Sequence, residues 1–279
     1  MEAGPLRDVL TLLLGLGTGV LSALFGIGGA IVSNPGLRAL GAAPLVAVGT
    51  TLPSILPGAI SGTLRYQREG LIDWRLVTPA AAAGLLAVVG GSLLSHAVPG
   101  EGHLLLLLIA VLLAFTAWRT AFAGNASQDD LPAPADPAAD PPAPADPGAG
   151  PPARSRWTAA GIGLAAGLLS GLLGIGGGVI MVPAFTELLH LPLKSAIATS
   201  LVCVGVFGLP ATVTHAILGD VDWRLAALLT IGVVPGARLG ASLTIRTAER
   251  RLRLLVGVFL ALVAVVYFVT EARALLGEP

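Results

Sequence analysis

Charge is scarce in this sequence of 279 residues: Asp, Glu, Lys and Arg together make up 11% of it, 16 acidic against 16 basic. A soluble domain of that length needs far more charge on its surface, so water is not the solvent this chain is built for. The zero formal balance also removes overall electrostatics as a pointer to nucleic acid or to acidic partners. Cys203 is the single cysteine, which excludes an internal disulfide, a cysteine zinc site and a CxxC redox pair. The four histidines, His96, His103, His190 and His215, show no metal-ligand spacing such as HExxH. No cofactor, no metal and no enzymatic activity are therefore expected.

What is abundant is apolar surface. Hydrophobic residues form 54% of the chain and the mean hydropathy is +0.86. A bilayer solvates such side chains directly, provided that every backbone group pairs internally. The expected class is an all-α polytopic membrane protein. Apolar segments near the length of a span lie at about 9–24, 29–42, 45–64, 75–95 and 104–121, and again at about 158–173, 178–191, 195–218, 225–245 and 252–272. The first run is too long for a signal peptide and is followed by GIGG in place of a cleavage site, so it is expected to be retained.

The chain repeats itself. GLGTGVLSALFGIGGAIVSNP (15–35) aligns without a gap on GLAAGLLSGLLGIGGGVIMVP (163–183), AVGTTL (47–52) on AIATSL (196–201), and GLIDWRL (70–76) on GDVDWRL (219–225). Three matched blocks in one order mean duplication, the construction common in secondary transporters. The halves are placed at 7–122 and 157–276. Between them, 123–156 is rich in Pro, Ala and Asp, which removes backbone donors and offers no core, so it reads as an extended linker.

Arginine placement orients the halves, because cytoplasmic loops carry an excess of basic residues. Arg65, Arg68 and Arg75 crowd the loop at 65–75, whereas its counterpart offers Arg224 beside Asp220 and Asp222. The bias reverses in the next loop: 95–103 has no Lys or Arg, and its counterpart holds Arg246, Arg250, Arg251 and Arg253. Opposite bias in equivalent loops predicts inverted repeats, with a cytoplasmic linker and both termini outside. The short pairs either cross twice or fold as re-entrant hairpins.

Gly174, Gly176, Gly177 and Gly178 put four glycines into five residues, at about 1 kcal/mol each in a helix interior. The helix should break there, and again at Gly26, Gly28 and Gly29, where Ala30 replaces the last glycine. A break frees the first N–H groups of the following segment, and an anion is their natural partner. Two such ends meeting at the midplane would form an anion site; the alternative is that the glycines serve close helix packing. Thr50 and Thr51, with Thr199 and Ser200 in the second half, either donate to an oxyanion or bond back to the carbonyl four residues earlier. Arg238, about 12 Å inside a boundary at 1.5 Å per residue, either contacts cargo or snorkels, and Pro235 beside it suggests a locally opened helix. Asp73 and Asp222 are placed to cap the helices after them, with Trp74 and Trp223 at the interface.

The duplicated GxxSGLLGIGGG-like break, the A-x-x-T-S-L element and the G-x-[IV]-D-W loop resemble the sulfite exporter TauE/SafE family over nearly all of the chain except the linker. The resemblance implies a transporter of sulfite, sulfonates and related organosulfur anions in the inner membrane, with a small anion and the bilayer as partners and a homo-oligomer open. It points to Gly174, Gly176, Gly177, Gly178, Thr199 and Ser200, and to Gly26, Gly28, Gly29, Thr50 and Thr51 as their first-half equivalents. A passive anion channel and a non-transporting membrane scaffold are the alternatives.

Overall fold

A computed structural model describes residues 4–95, 153–174 and 176–276, together with Val111 and Ala114. The expected segment at 104–121 and most of the linker lie outside the described residues. Among those described, nine helices and no strands are present: α1 (Pro5–Phe25), α2 (Ala30–Ala39), α3 (Pro44–Gln67), α4 (Trp74–Ser95), α5 (Ala153–Leu173), α6 (Gly178–Leu188), α7 (Leu193–Leu218), α8 (Trp223–Arg246) and α9 (Glu249–Leu276).

α1, α3, α4, α7 and α8 are each long and apolar enough to cross a bilayer, whereas α6 is a short apolar helix. Large apolar side chains line the outer surface, as at Leu86 and Ile217, the latter 80% exposed. Lipid would solvate that face, and the interior is where polar atoms collect. Among the described residues, no Asp, Glu, Lys or Arg is buried, while Thr50, Thr51, Thr199 and Ser200 are fully so. Trp74, Trp157 and Trp223, at the starts of their helices, are exposed.

Contacts between helices exchange the two halves. α1 packs most extensively on α8 and α4 on α5, α3 packs on α8 and α4 on α7, while α3 and α7 meet each other. Counting each half from its first helix, every pairing of first with fourth and of third with fourth has its counterpart with the halves swapped. Small residues make these crossings close. A Cβ on Gly163, Gly167 or Gly171 of α5 would strike the backbone carbonyls of Ala80, Gly84 and Val88 on α4. Gly15 and Gly19 of α1 meet those of Leu229 and Val233 on α8 in the same way. Gly15 and Gly19 are the sequence equivalents of Gly163 and Gly167. These i, i+4 stripes, separate from the glycine breaks, do the helix packing.

Two boundaries differ from the sequence reading. α5 starts at Ala153, inside the stretch read as linker, because Arg154 to Arg156 extend the apolar helix by a turn. α8 runs unbroken through Pro235, so the local opening expected there is absent. α2 likewise continues through Asn34 and Pro35, and α3 through Pro53 and Pro57. A proline in a packed membrane helix is tolerated when neighbouring groups compensate for the lost donor.

Candidate functional site

Both glycine clusters interrupt the helices. α1 stops at Phe25, where Gly26 takes φ 67 and donates its N–H to the Ser22 carbonyl at 2.8 Å. Gly28 follows at φ 84 before α2 begins at Ala30. In the second half Gly174, at φ 63, donates to the Ser170 carbonyl at 2.8 Å, and Gly176 and Gly177 stand at φ 88 and 69 before α6. A side chain in that left-handed region costs roughly 1–2 kcal/mol, which is why glycine holds these positions. The halves part company at one residue: Gly29 has φ −69, whereas Gly177 has φ 69.

The first carbonyl of each short helix is Gly29 or Gly177. Val32 and Ser33 donate to Gly29, and Ile180 and Met181 to Gly177. The amides of Ala30, Gly178 and Val179 therefore precede the ladder, at the end of the helix that carries partial positive charge.

These two breaks touch. A Cβ on Gly176 would lie 3.5 Å from Gly28 Cα and 3.1 Å from Val204 on α7. One on Gly178 would overlap the Gly26 carbonyl oxygen and lie 2.8 Å from Ile27 Cα. Backbone meets backbone, and Gly28 and Gly176 are equivalent residues of the two halves. Each break also docks on the third helix of the other half. Around Gly26 stand the Ile197 carbonyl oxygen and Ser200 Oγ, 2.7 and 2.6 Å from a Cβ there, and Gly174 lies against Val48, the equivalent of Ile197.

The hydroxyls beside the crossing are engaged in protein bonds. The Asp73 N–H donates to Thr199 Oγ1 at 3.1 Å, and its mirror, the Asp222 N–H, donates to Thr50 Oγ1 at 2.9 Å. Each third helix thus holds the loop that precedes the fourth helix of the other half. Thr51 bonds back to the Ala47 carbonyl, the local alternative anticipated for it. Ser200 Oγ lies 2.9 Å from the Gly26 carbonyl oxygen and 3.0 Å from that of Ile197, so it latches α7 to the first break. Ser200 and the glycines of the two breaks are one packed assembly. Arg238 does not join it: α8 turns Gly232, Gly236 and Gly240 to α1, and Arg238 stands exposed on the opposite face.

Sequence reasoning missed two of the three residues that finish the first break, Tyr66 and Thr244. The last carbonyls of a helix lack intrahelical donors, and here three other helices supply them. Tyr66 Oη donates to Ala23 at 2.6 Å, Thr244 Oγ1 to Leu24 at 3.1 Å, and Ser200 serves Gly26. Nothing in a sequence pattern links Tyr66 and Thr244 to α1. At the Tyr66 equivalent of the second half, His215 Nδ1 instead pairs with Asp220 Oδ2 at 3.0 Å. Asp222 accepts from the Arg224 and Leu225 N–H groups, and Asp73 from that of Arg75, so both caps stand as the sequence suggested. Thr18 and Asn34 are the other omissions, buried with Oγ1 and Oδ1 unpartnered.

Comparison with known proteins agrees with this architecture. The sequence profile described as sulfite exporter TauE/SafE matches residues 11–267. The chain belongs to that family. It is accordingly a multi-pass membrane transporter and not an enzyme. The probable membrane transporter protein YunE of Bacillus subtilis (strain 168) is 30% identical over 91% of this chain and 95% of its own length. A probable membrane transporter protein of Xylella fastidiosa (strain 9a5c) is 29% identical over 80% of this chain and 79% of its own. The probable membrane transporter protein MamO of Paramagnetospirillum magneticum is 29% identical over 91% of this chain, which corresponds to 43% of MamO. No solved structure matches the chain significantly. In this TauE/SafE member, then, the profile spans both glycine breaks and all four of the hydroxyls beside them.

Proposed function

We propose that this transporter carries a small sulfur oxyanion, sulfite or an organosulfonate, across the inner membrane by alternating access at the crossing of its two broken helices. The observation that carries the reading is the contact of Gly28 with Gly176, which brings the N-terminal ends of α2 and α6 to one place within an uncharged interior. Such an end favours an anion by about 0.3–1 kcal/mol when exposed and up to ~2 kcal/mol when partly buried. Two ends give at most ~4 kcal/mol, and hydrogen bonds from the Thr50 and Thr199 hydroxyls, which accept here and keep a proton to give, add ~1–3 kcal/mol. The sum is at most ~5–7 kcal/mol, an upper bound that falls between the ~4 kcal/mol of a millimolar site and the ~8 kcal/mol of a micromolar one. An affinity in that interval holds cargo and still releases it.

Because the breaks touch, cargo enters only when the two halves part. In this reading the halves are inverted repeats with the linker on the cytoplasmic side, and the glycines are the pivots on which one half rocks against the other. Arg238, facing outward, serves headgroups. Reconstitution in liposomes tests the proposal: counterflow of labelled sulfite should saturate and should be abolished by Gly177→Val. Conductance without saturation would favour a channel, and unchanged flux in Gly177→Val would remove the crossing from the mechanism.

A further inference from the structure

Among the chemical differences between the two halves, one leaves polar atoms unpaired beside the first break. Thr18 on α1 and Asn34 on α2 are 1% and 7% exposed, and Thr18 Oγ1 and Asn34 Oδ1 have no hydrogen-bond partner. Their equivalents in the second half are Ala166 and Val182. The positions correspond in space as well: a Cβ on Gly29 would meet Thr18 Cγ2, and one on Gly177 would meet Ala166.

Thr18 had a local solution available. Thr11 donates to the Arg7 carbonyl, Ser33 to Gly29 and Thr51 to Ala47, each four residues back. Thr18 does not, and its side chain lies against the glycine that opens α2. Asn34 follows Ala30 by four residues, so the two share a face of α2 to within about 40°. Gly178, the counterpart of Ala30, packs that face of α6 onto the opposite break. Asn34 thus lies on the face of α2 that corresponds, by the alignment of the halves, to the face Gly178 turns to the opposite break. An unpaired buried polar atom costs about 1–3 kcal/mol, so each such atom calls for a partner from outside the chain.

We infer that Thr18 and Asn34 form a polar wall on the first-half side of the transport site, selecting sulfur oxyanions that carry a hydrogen-bond donor of their own, such as a hydroxyl, an ammonium group or a protonated oxyanion oxygen. The inference rests on the anion-transport reading above and refines it. An Asn amide offers an Nδ2 donor as well as the Oδ1 acceptor, so an unprotonated oxyanion oxygen meets Nδ2 alone and leaves Oδ1 unpaired, whereas a cargo with its own donor satisfies both. The Thr18 hydroxyl both gives and takes, so it bridges donor and anion. The second-half wall, with Ala166 and Val182, takes the apolar side of the cargo.

The test compares two sulfonates of nearly equal size in proteoliposome counterflow, ethanesulfonate and 2-hydroxyethanesulfonate, with 2-aminoethanesulfonate and sulfite at acid and neutral pH as further arms. The unmodified protein should reach half-saturation with 2-hydroxyethanesulfonate at about tenfold lower concentration than with ethanesulfonate, the ratio expected for one buried hydrogen bond of ~1.4 kcal/mol. Thr18→Val and Asn34→Val should each raise the value for 2-hydroxyethanesulfonate several-fold more than that for ethanesulfonate, whose retained counterflow shows that the variants are folded. Thr18→Ser should keep the preference. Equal half-saturation of the two sulfonates in the unmodified protein, or parallel loss of both in the variants, overturns the inference while sulfite transport stands. If the unmodified protein moves none of these anions, the transport reading falls and takes the inference with it.

Discussion

Replacing a glycine by alanine at four positions separates backbone conformation from crowding. Gly17 is helical and a Cβ there meets nothing within 4 Å, so Gly17→Ala should stabilise the protein by about 0.5–1 kcal/mol through helix propensity. Gly70 and Gly219 are equivalent turn residues at φ 66 and 81 with open space around them. Alanine there should cost only the left-handed conformation, about 1–2 kcal/mol, and equally in both halves. Gly177 combines φ 69 with a Cβ position 2.6 Å from the Ala166 carbonyl oxygen. Backbone cannot yield as a side chain does, so overpacking of about 1–3 kcal/mol adds to the conformational cost, for ~2–5 kcal/mol in all. Against a typical stability of about 5–15 kcal/mol that is a large fraction. Thermal unfolding in one detergent should therefore rank the variants Gly17→Ala, unmodified, Gly70→Ala with Gly219→Ala, then Gly177→Ala. Gly177→Ala should also lose counterflow out of proportion to its stability. If Gly177→Ala unfolds with Gly219→Ala and transports normally, the crossing is looser than drawn here and the pivot role is refuted.

Thr50→Val and Thr199→Val each take the acceptor from one half-buried loop amide, so each should cost about 0.5–1.5 kcal/mol, to the same extent, with faster amide exchange at Asp222 and Asp73 respectively. Their double variant should be additive, since the two bonds share no partner. Arg224 and Asp8 pair at 2.6 Å with Arg224 62% exposed, so Asp8→Asn should shift thermal unfolding by no more than ~1 kcal/mol despite the short distance. Single cysteines replacing Arg68 and Arg250 should both react with a cytoplasmic, membrane-impermeant maleimide, against a low background because Cys203 is buried; opposite reactivity would exclude the inverted arrangement.

The elements were legible because their causes are local. Glycine density marked both breaks, apolar runs marked the spans, and Asp73 and Asp222 marked the starts of α4 and α8. The duplication was legible too, and the contact of each half with the other follows its alignment. What one strand of text could not give is anything that depends on which helix becomes whose neighbour. Tyr66, Thr244 and Ser200 come from α3, α8 and α7 to close one helix end. Depth alone left Arg238 open to cargo contact or snorkelling; its facing is set by the glycines at 232, 236 and 240, which claim the other side of α8 for α1. Thr18 and Asn34 do carry a signal, the loss of equivalence with Ala166 and Val182, but it acquires meaning only once burial and the missing partners are known.

Symmetry and asymmetry answer different requirements of the same machine. Two halves that exchange contacts can trade conformations at little net energy, because each packing lost on one side has a counterpart gained on the other. The alternating access proposed above needs that balance. A cargo site on the axis between identical halves would present the same chemistry twice, which suits a symmetric ion and gives no grip on a molecule with two unlike ends. Here the balance resides in the glycine stripes, the Asp73–Thr199 and Asp222–Thr50 bonds and the touching breaks, all of which are paired. The distinction resides in Thr18, Asn34 and the conformation of Gly29 against Gly177, none of which is paired. Ala166→Thr with Val182→Asn should therefore weaken discrimination between sulfonates, because it restores symmetry to the proposed site, and should also lower stability, because both positions are fully packed.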